Sequence, residues 1–229
     1  MEDNKFEHKW RKVLSDVPDQ SEYSGEASDY GWGNLPTKRL PQEAQEDINR
    51  FKRPISTNNI LVINHGFCSW LDFNGMYGEG DTLAEIEYLA NIGRLLEEAN
   101  PTKIQTVMYD YPEHYVLGSR QRLIRGDIAS VILTEFDGGG SLDSNMAYQE
   151  IGEGKKIYLA GSYLACLAST AEQLWRNDND IVVIADAVLD GTKPVDANLA
   201  QRIKTFAEEI DIDGLSFISA NEFFRQYGK

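Results

Sequence analysis

Cysteine and positive charge are both scarce in this chain. The two cysteines, Cys68 and Cys166, stand about a hundred residues apart and make no disulfide framework. Against 37 acidic residues there are only 22 lysines and arginines, a net charge of −15 at pH 7. Nucleic acid and anionic membrane both require a basic surface, so neither is expected as a partner. No apolar run approaches the roughly 18 residues that would suggest a membrane span. The opening Met1-Glu2-Asp3-Asn4-Lys5 lacks the basic and then apolar order of a signal peptide, which makes the cytoplasm the expected location. There is no internal repeat. Gly138-Gly139-Gly140 has no following Lys-Ser or Lys-Thr, so it is read as a flexible loop flanked by Asp137 and Asp143 and not as a phosphate loop.

What is present is ordinary for a folded soluble domain: 229 residues, 41% hydrophobic and 26% charged. That length suits one large domain better than two. Residues 1–56 read as an N-terminal arm. They carry Gly, Pro, Ser and Asp without a sustained period, and the only helical candidates are Phe6 to Leu14 and Pro41 to Phe51. Trp10, Tyr23, Tyr30, Trp32 and Phe51 are too apolar for a solvated tail, so part of the arm is expected to pack on its own domain or on a second copy in a homo-oligomer. The arm holds 9 of the basic and 11 of the acidic residues, so the acidity belongs to the body at 57–229.

From Asn59 onward strand and helix alternate. Apolar strand-type runs occur at Ile60 to Ile63, Ile104 to Tyr109, Ala129 to Leu133, Lys156 to Ala160, Ile181 to Ala185 and Leu215 to Ile218. Between them, Thr82-Leu83-Ala84-Glu85 is a capping box that opens a helix stopped by Asn100-Pro101. Further helices are predicted at Leu164 to Arg176, Asp196 to Ile210 and Ala220 to Tyr227. Strands that are apolar throughout imply a parallel sheet with helices on both faces. The predicted fold is therefore α/β, a three-layer α/β/α domain with a mainly parallel six-stranded sheet of Rossmann-like type. Right-handed crossovers put all strand C-termini on one rim, where such sheets bind ligands. Asn64, Asp110, Thr134, Cys166 and Asp186 fall at or just past those ends.

Cys166 is the leading candidate for chemistry. It follows a strand and a Gly161-Ser162 break and enters a helix, where unpaired backbone N–H groups favour thiolate over thiol. The alternative is a small buried hydrophobe. Cys68, between Phe67 and Trp70 with no predicted helix start, is read as structural.

Ile157 to Ala171, with Gly161-Ser162-Tyr163 before Cys166-Leu167-Ala168-Ser169-Thr170-Ala171, resembles the strand, loop and helix start of the isochorismatase-like cysteine hydrolases. Val182 to Val188 and Phe217 to Phe223 resemble that family's next strand and its closing strand and helix, and the likeness covers about residues 58 to 227. The resemblance implies a cysteine nucleophile at Cys166, a substrate loop at Gly161, Ser162 and Tyr163, an aspartate base ending the first strand and a lysine ending the third. By position the base falls on Asn64 and the lysine at or near Thr134. An amide has no usable basicity, and a threonine carries no charge to steady a thiolate. The metal held by some members would need an aspartate and histidines after the second strand. Asp110-Tyr111-Pro112-Glu113-His114 keeps the aspartate and one histidine, so no metal and no other cofactor is expected.

Two side chains offer a substitute base, Asp72 in Trp70-Leu71-Asp72-Phe73 and His65 in Asn64-His65-Gly66. They read equally as a turn cap and a loop histidine. His65-Gly66 also resembles the oxyanion loop of α/β-hydrolases, but that fold needs a late histidine, and His8, His65 and His114 all precede the nucleophile candidate. Two functions remain in view: a relative with a degraded triad that serves binding or assembly, and a cysteine hydrolase acting on a small amide or related carbonyl compound through Cys166.

Overall fold

The computed structural model describes residues 40–66, 83–110, 115, 119–134, 150–162, 164–189, 208 and 212–229. Among the described residues six strands form one sheet: β1 (Asn59–Asn64), β2 (Gln105–Asp110), β3 (Ser130–Leu133), β4 (Lys156–Ser162), β5 (Asp180–Leu189) and β6 (Ser216–Ile218). Their order across the sheet is β3-β2-β1-β4-β5-β6, and every pairing is parallel. The α/β prediction holds. The chain winds outward from β1 in one direction and from β4 in the other, so β1 and β4 are the adjacent strands at which the winding reverses. Ligand crevices in open α/β sheets lie at the C-terminal ends of such a pair.

The described helices are α1 (Leu40–Phe51), α2 (Leu83–Glu98), α3 (Arg120–Arg125), α4 (Leu164–Trp175) and α5 (Ala220–Tyr227). Right-handed crossovers on the two sides of the reversal must lie on opposite faces of the sheet. Leu61 and Ile63 of β1 accordingly pack with Ile48 of α1, Ile92 of α2, Leu123 of α3 and Phe223 of α5. The alternate residues Ile60 and Val62 pack with Leu167, Ala171 and Leu174 of α4. This period-2 division makes three layers with two cores.

Helix α1 explains where the body begins. Pro41 is tolerated in its first turn, where a backbone N–H has no helical partner to lose. Ala44 and Ile48, four residues apart, are buried with the sheet core, and Phe51 packs against it. Asp47 on the same helix accepts hydrogen bonds from Tyr115 (3.2 Å) and Arg120. This stretch of the predicted arm thus shares the core of the sheet domain. The helical candidate at Phe6 to Leu14 and the aromatic residues before α1 lie outside the described residues.

Three sequence expectations need correction. Gly161 and Ser162 are not a break: β4 runs through them to Ser162. β5 does not stop at Ala185 but continues to Leu189, because its register slips: Leu159 faces Val183, whereas Gly161 faces Val188. Asp186 therefore lies inside β5, in the irregular stretch. Its carboxylate accepts from the Ala220 backbone N–H at 2.7 Å, and its carbonyl accepts from Asn91 Nδ2 at 2.8 Å, so the slip anchors α5 and α2. Finally, α3 is a helix that periodicity did not predict. It ends on Gly126 in the left-handed conformation, φ 84°, whose N–H bonds back to Arg122 and Leu123. The predicted helix at Asp196 to Ile210 lies outside the described residues except for position 208, which is helical. Among the described residues no helix is long and apolar enough to cross a membrane.

Candidate functional site

Asn64 closes β1 at the reversal point, aligned with Tyr109 on β2 and Gly161 on β4. It shares the sheet face of Ile60 and Val62, the face covered by α4. It is 1% exposed, and its Oδ1 accepts from Thr170 Oγ1 of α4 at 3.2 Å. Nδ2, equally buried, has no hydrogen-bond partner among the described residues.

Thr170 also fixes the place of Cys166. Residues four apart on a helix lie one above the other on the same face, so the Cys166 side chain stands one turn nearer the helix start than the hydroxyl that holds Asn64. Leu167, Thr170, Ala171 and Leu174 form the fully buried stripe of α4. Cys166, at the edge of that stripe, is half-buried. It is the third residue of the helix, inside the turn where the dipole favours an anion, and no acidic residue in that turn opposes one.

Gly161 gives this corner its shape. Its φ of 135° suits glycine, and a Cβ there would stand 1.9 Å from the Asn64 carbonyl oxygen. The strand ends of β1 and β4 can lie this close only because position 161 has no side chain. Beside Asn64 on the other flank, Tyr109 is fully buried, and its hydroxyl has no hydrogen-bond partner among the described residues. Burial first, and the charge of Glu150 second, push its phenol well above the ordinary range, so it remains protonated.

Thr134 is buried just past β3, and by alternation it belongs to the same face as Asn64. Its N–H donates to the Asp110 carbonyl at 3.0 Å, and its hydroxyl makes a long contact of 3.5 Å with the same oxygen. With β2 between β3 and β1, it stands two strand spacings across and two residues along from Asn64, roughly 12 Å. A threonine tied to the backbone at that range supplies no charge to the thiol.

The remaining candidates lie on the opposite face, past the end of β1, or outside the described residues. Asp110, fully buried, follows Met108 in parity and accepts from Ser119 Oγ at 2.7 Å, at the entrance to α3. Ser162 donates to the His65 carbonyl at 2.6 Å. His65 is buried with φ 48°, an uncommon conformation for a residue with a side chain, and its N–H donates to the Tyr109 carbonyl at 2.8 Å. These bonds tie β1 to both neighbours just past Asn64. Asp72 and Tyr163, with Cys68, His114 and Gly138 to Gly140, lie outside the described residues. The structure thus gathers Asn64, Gly161 and Cys166 around the end of β1, with Thr134 farther along the same face, Asp110 and Ser162 on the opposite face, and His65 just past the strand end. Among the described residues no cluster of His, Cys, Asp or Glu could hold a metal ion.

Sequence reasoning missed Thr170 and Tyr109. Thr170 had a usable signal, the only hydroxyl on the buried stripe of α4 one turn after Cys166. Tyr109 had none, because an aromatic inside an apolar strand reads as core.

No protein-family model and no curated protein matches the chain. A solved structure described as the MAR1 ribonuclease from Caenorhabditis elegans is similar to it, with 16% identity over 76% of this chain and 83% of that one and a TM-score of 0.49. At that score the likeness carries no argument, and the fold and site stand on the chain's own geometry.

Proposed function

We propose that this protein binds a small carbonyl or amide compound at the end of β1 and does not hydrolyse it, the site of an isochorismatase-like cysteine hydrolase having lost its base and its cation. The observation that carries this reading is the Asn64–Thr170 hydrogen bond. A carboxylate in that place would accept the thiol proton; the amide uses its oxygen on Thr170 and offers only a donor. Thr134 adds no charge. What is left is a half-buried thiol beside hydrogen-bonding groups, suited to holding a ligand.

The reading is tested by alkylating Cys166 across a pH series, read by intact mass in a Cys68→Ser background. The expected apparent pKa is at or above the ~8.5 of an ordinary thiol. A value near ~6.5 or below, or a thioester adduct accumulating with small amides, would overturn it in favour of a hydrolase. That second reading draws on one observation, the position of Cys166 in the first turn of α4.

In the same proposal residues 1–56 serve assembly. Removing residues 1–39, which leaves α1 in place, is expected to lower the mass measured in solution by light scattering; an unchanged mass refutes that part.

A further inference from the structure

Two polar groups on one face of the sheet are deeply buried and lack a hydrogen-bond partner among the described residues: Asn64 Nδ2 and the Tyr109 hydroxyl. Native structures rarely leave such groups unmatched, since each carries the full cost of desolvation without the compensating bond. Here they are neighbours. Asn64 and Tyr109 are register partners on adjacent parallel strands, at 1% and 0% exposure. Each has a reason for remaining unmatched. Thr170 occupies the oxygen of Asn64 and so turns the amide nitrogen away from α4. Glu150, whose charge reaches Tyr109, has Oε1 engaged by Lys52 at 2.5 Å and Oε2 by Ser130 at 3.2 Å.

We propose that Tyr109 is the second ligand-binding donor of this site, its hydroxyl and the Asn64 amide together receiving the oxygen of a neutral carbonyl compound. This rests on the binding function proposed above and adds a residue and a selectivity to it. Both groups act as donors, so the complementary ligand is an acceptor. Neither group is charged, and the charge that bears on Tyr109, that of Glu150, is negative. A carboxylate would therefore be buried without a counter-charge, a heavier penalty than two neutral hydrogen bonds offset. Gly161, flanking Asn64 on the opposite side, lets the β4 backbone close on the Asn64 carbonyl and so fixes the strand end that carries the amide.

The experiment uses the full chain and has two arms. In the first, Tyr109→Phe is melted without ligand. Removing an unmatched hydroxyl is expected to leave Tm unchanged or raise it by a few degrees; a clear fall in Tm would mean the hydroxyl already serves the fold, and would overturn the proposal. In the second, protection of Cys166 from alkylation is titrated with acetamide and benzamide and with the matched anions acetate and benzoate. The amides are expected to protect and the anions to do so at least tenfold less well, and Tyr109→Phe is expected to need at least fivefold more amide. Equal protection of variant and parent, better protection by the anions, or no protection by either amide would each sink it. The thiol pKa measured for the proposed function does not enter either arm, so a failure there is separable from a failure here.

Discussion

Two asparagines, nearly equal in burial, stand at opposite rims of the sheet and are treated in opposite ways. Asn179, 3% exposed and just before β5, uses both ends of its amide. Its Oδ1 accepts from the Lys155 N–H at 2.8 Å, and its Nδ2 donates to the carbonyls of Leu174 at 2.9 Å and Gly152 at 3.2 Å. It joins the end of α4 to the entries of β4 and β5. Asn64, 1% exposed at the far rim, makes one side-chain bond and leaves Nδ2 without a partner among the described residues. The N-terminal rim follows this pattern elsewhere: Gln105 Oε1 accepts from the N–H groups of Ser56 and Thr57, and its Nε2 donates to the Pro54 carbonyl. Side-chain amides at that rim close loops. At the C-terminal rim the Asn64 amide keeps one end without a partner among the described residues, and the proposed binding site rests on that difference.

The comparison is broken most forcefully at Gly161, where the backbones of β1 and β4 come into close contact at the C-terminal rim. Gly161→Ala places a Cβ on the Asn64 carbonyl and demands a φ of 135° from a residue that disfavours it. The expected loss is about 3 kcal/mol or more, at or beyond the usual range for one substitution, measured by urea unfolding. A mild loss would mean that β1 and β4 can separate at the rim without cost, and the proposed site would not be fixed.

Next in size is the direct test of the two asparagines. Asn179→Ala strands the buried Leu174 carbonyl together with a part-buried backbone donor and a part-buried carbonyl, an expected cost of about 2–3 kcal/mol. Asn64→Ala gives up one bond and also removes an unmatched N–H, so about 1 kcal/mol or less is expected. Unfolding curves of the two variants settle the order. If Asn64→Ala proves the more damaging, its amide belongs to the scaffold and the contrast between the rims fails.

The sequence carried the sheet further than the site because the two are written at different ranges. Apolar runs such as Ile60 to Ile63 announce strands locally, and their unbroken character announces burial on both faces. The positions of Asn64 and Cys166 at the reversal follow once strands and crossovers are counted. The bond that gives Asn64 its meaning joins residues 64 and 170, and no local pattern encodes it. Tyr109 is hidden for the opposite reason: its neighbours explain it too well. Helix α3 escaped because Arg120-Gln121-Arg122-Leu123-Ile124-Arg125 is too short to display a period, and its Leu123 finds its place only against the sheet. The register slip in β5 was masked by apolar residues that continue through it to Leu189, with Asp186 the one polar sign.

The smallest effect sharpens the same contrast at a surface where neither ligand nor deep burial intervenes. Ser219 caps α5 in a reciprocal box: its hydroxyl accepts from the Glu222 N–H at 3.2 Å, while the Glu222 carboxylate accepts from the Ser219 N–H at 2.8 Å. The backbone bond from Ser219, then its hydroxyl, hold the Glu222 carboxyl below the ordinary carboxylate range. A folded pKa below the unfolded one means that the unfolded chain binds the proton more readily, so this contribution is complete above the ordinary glutamate range and is lost as pH falls through the folded value. Ser219→Ala is expected to cost about 1 kcal/mol at neutral pH, the usual value of an N-cap. Its deficit relative to the parent should shrink in part on acidification, as protonation weakens the hydroxyl–carboxylate bond that the substitution removes while the Glu222 N–H bond to the hydroxyl persists. A deficit independent of pH between neutrality and pH 3 would show that the Ser219 hydroxyl gains nothing from the Glu222 charge and holds the helix start through the Glu222 N–H alone.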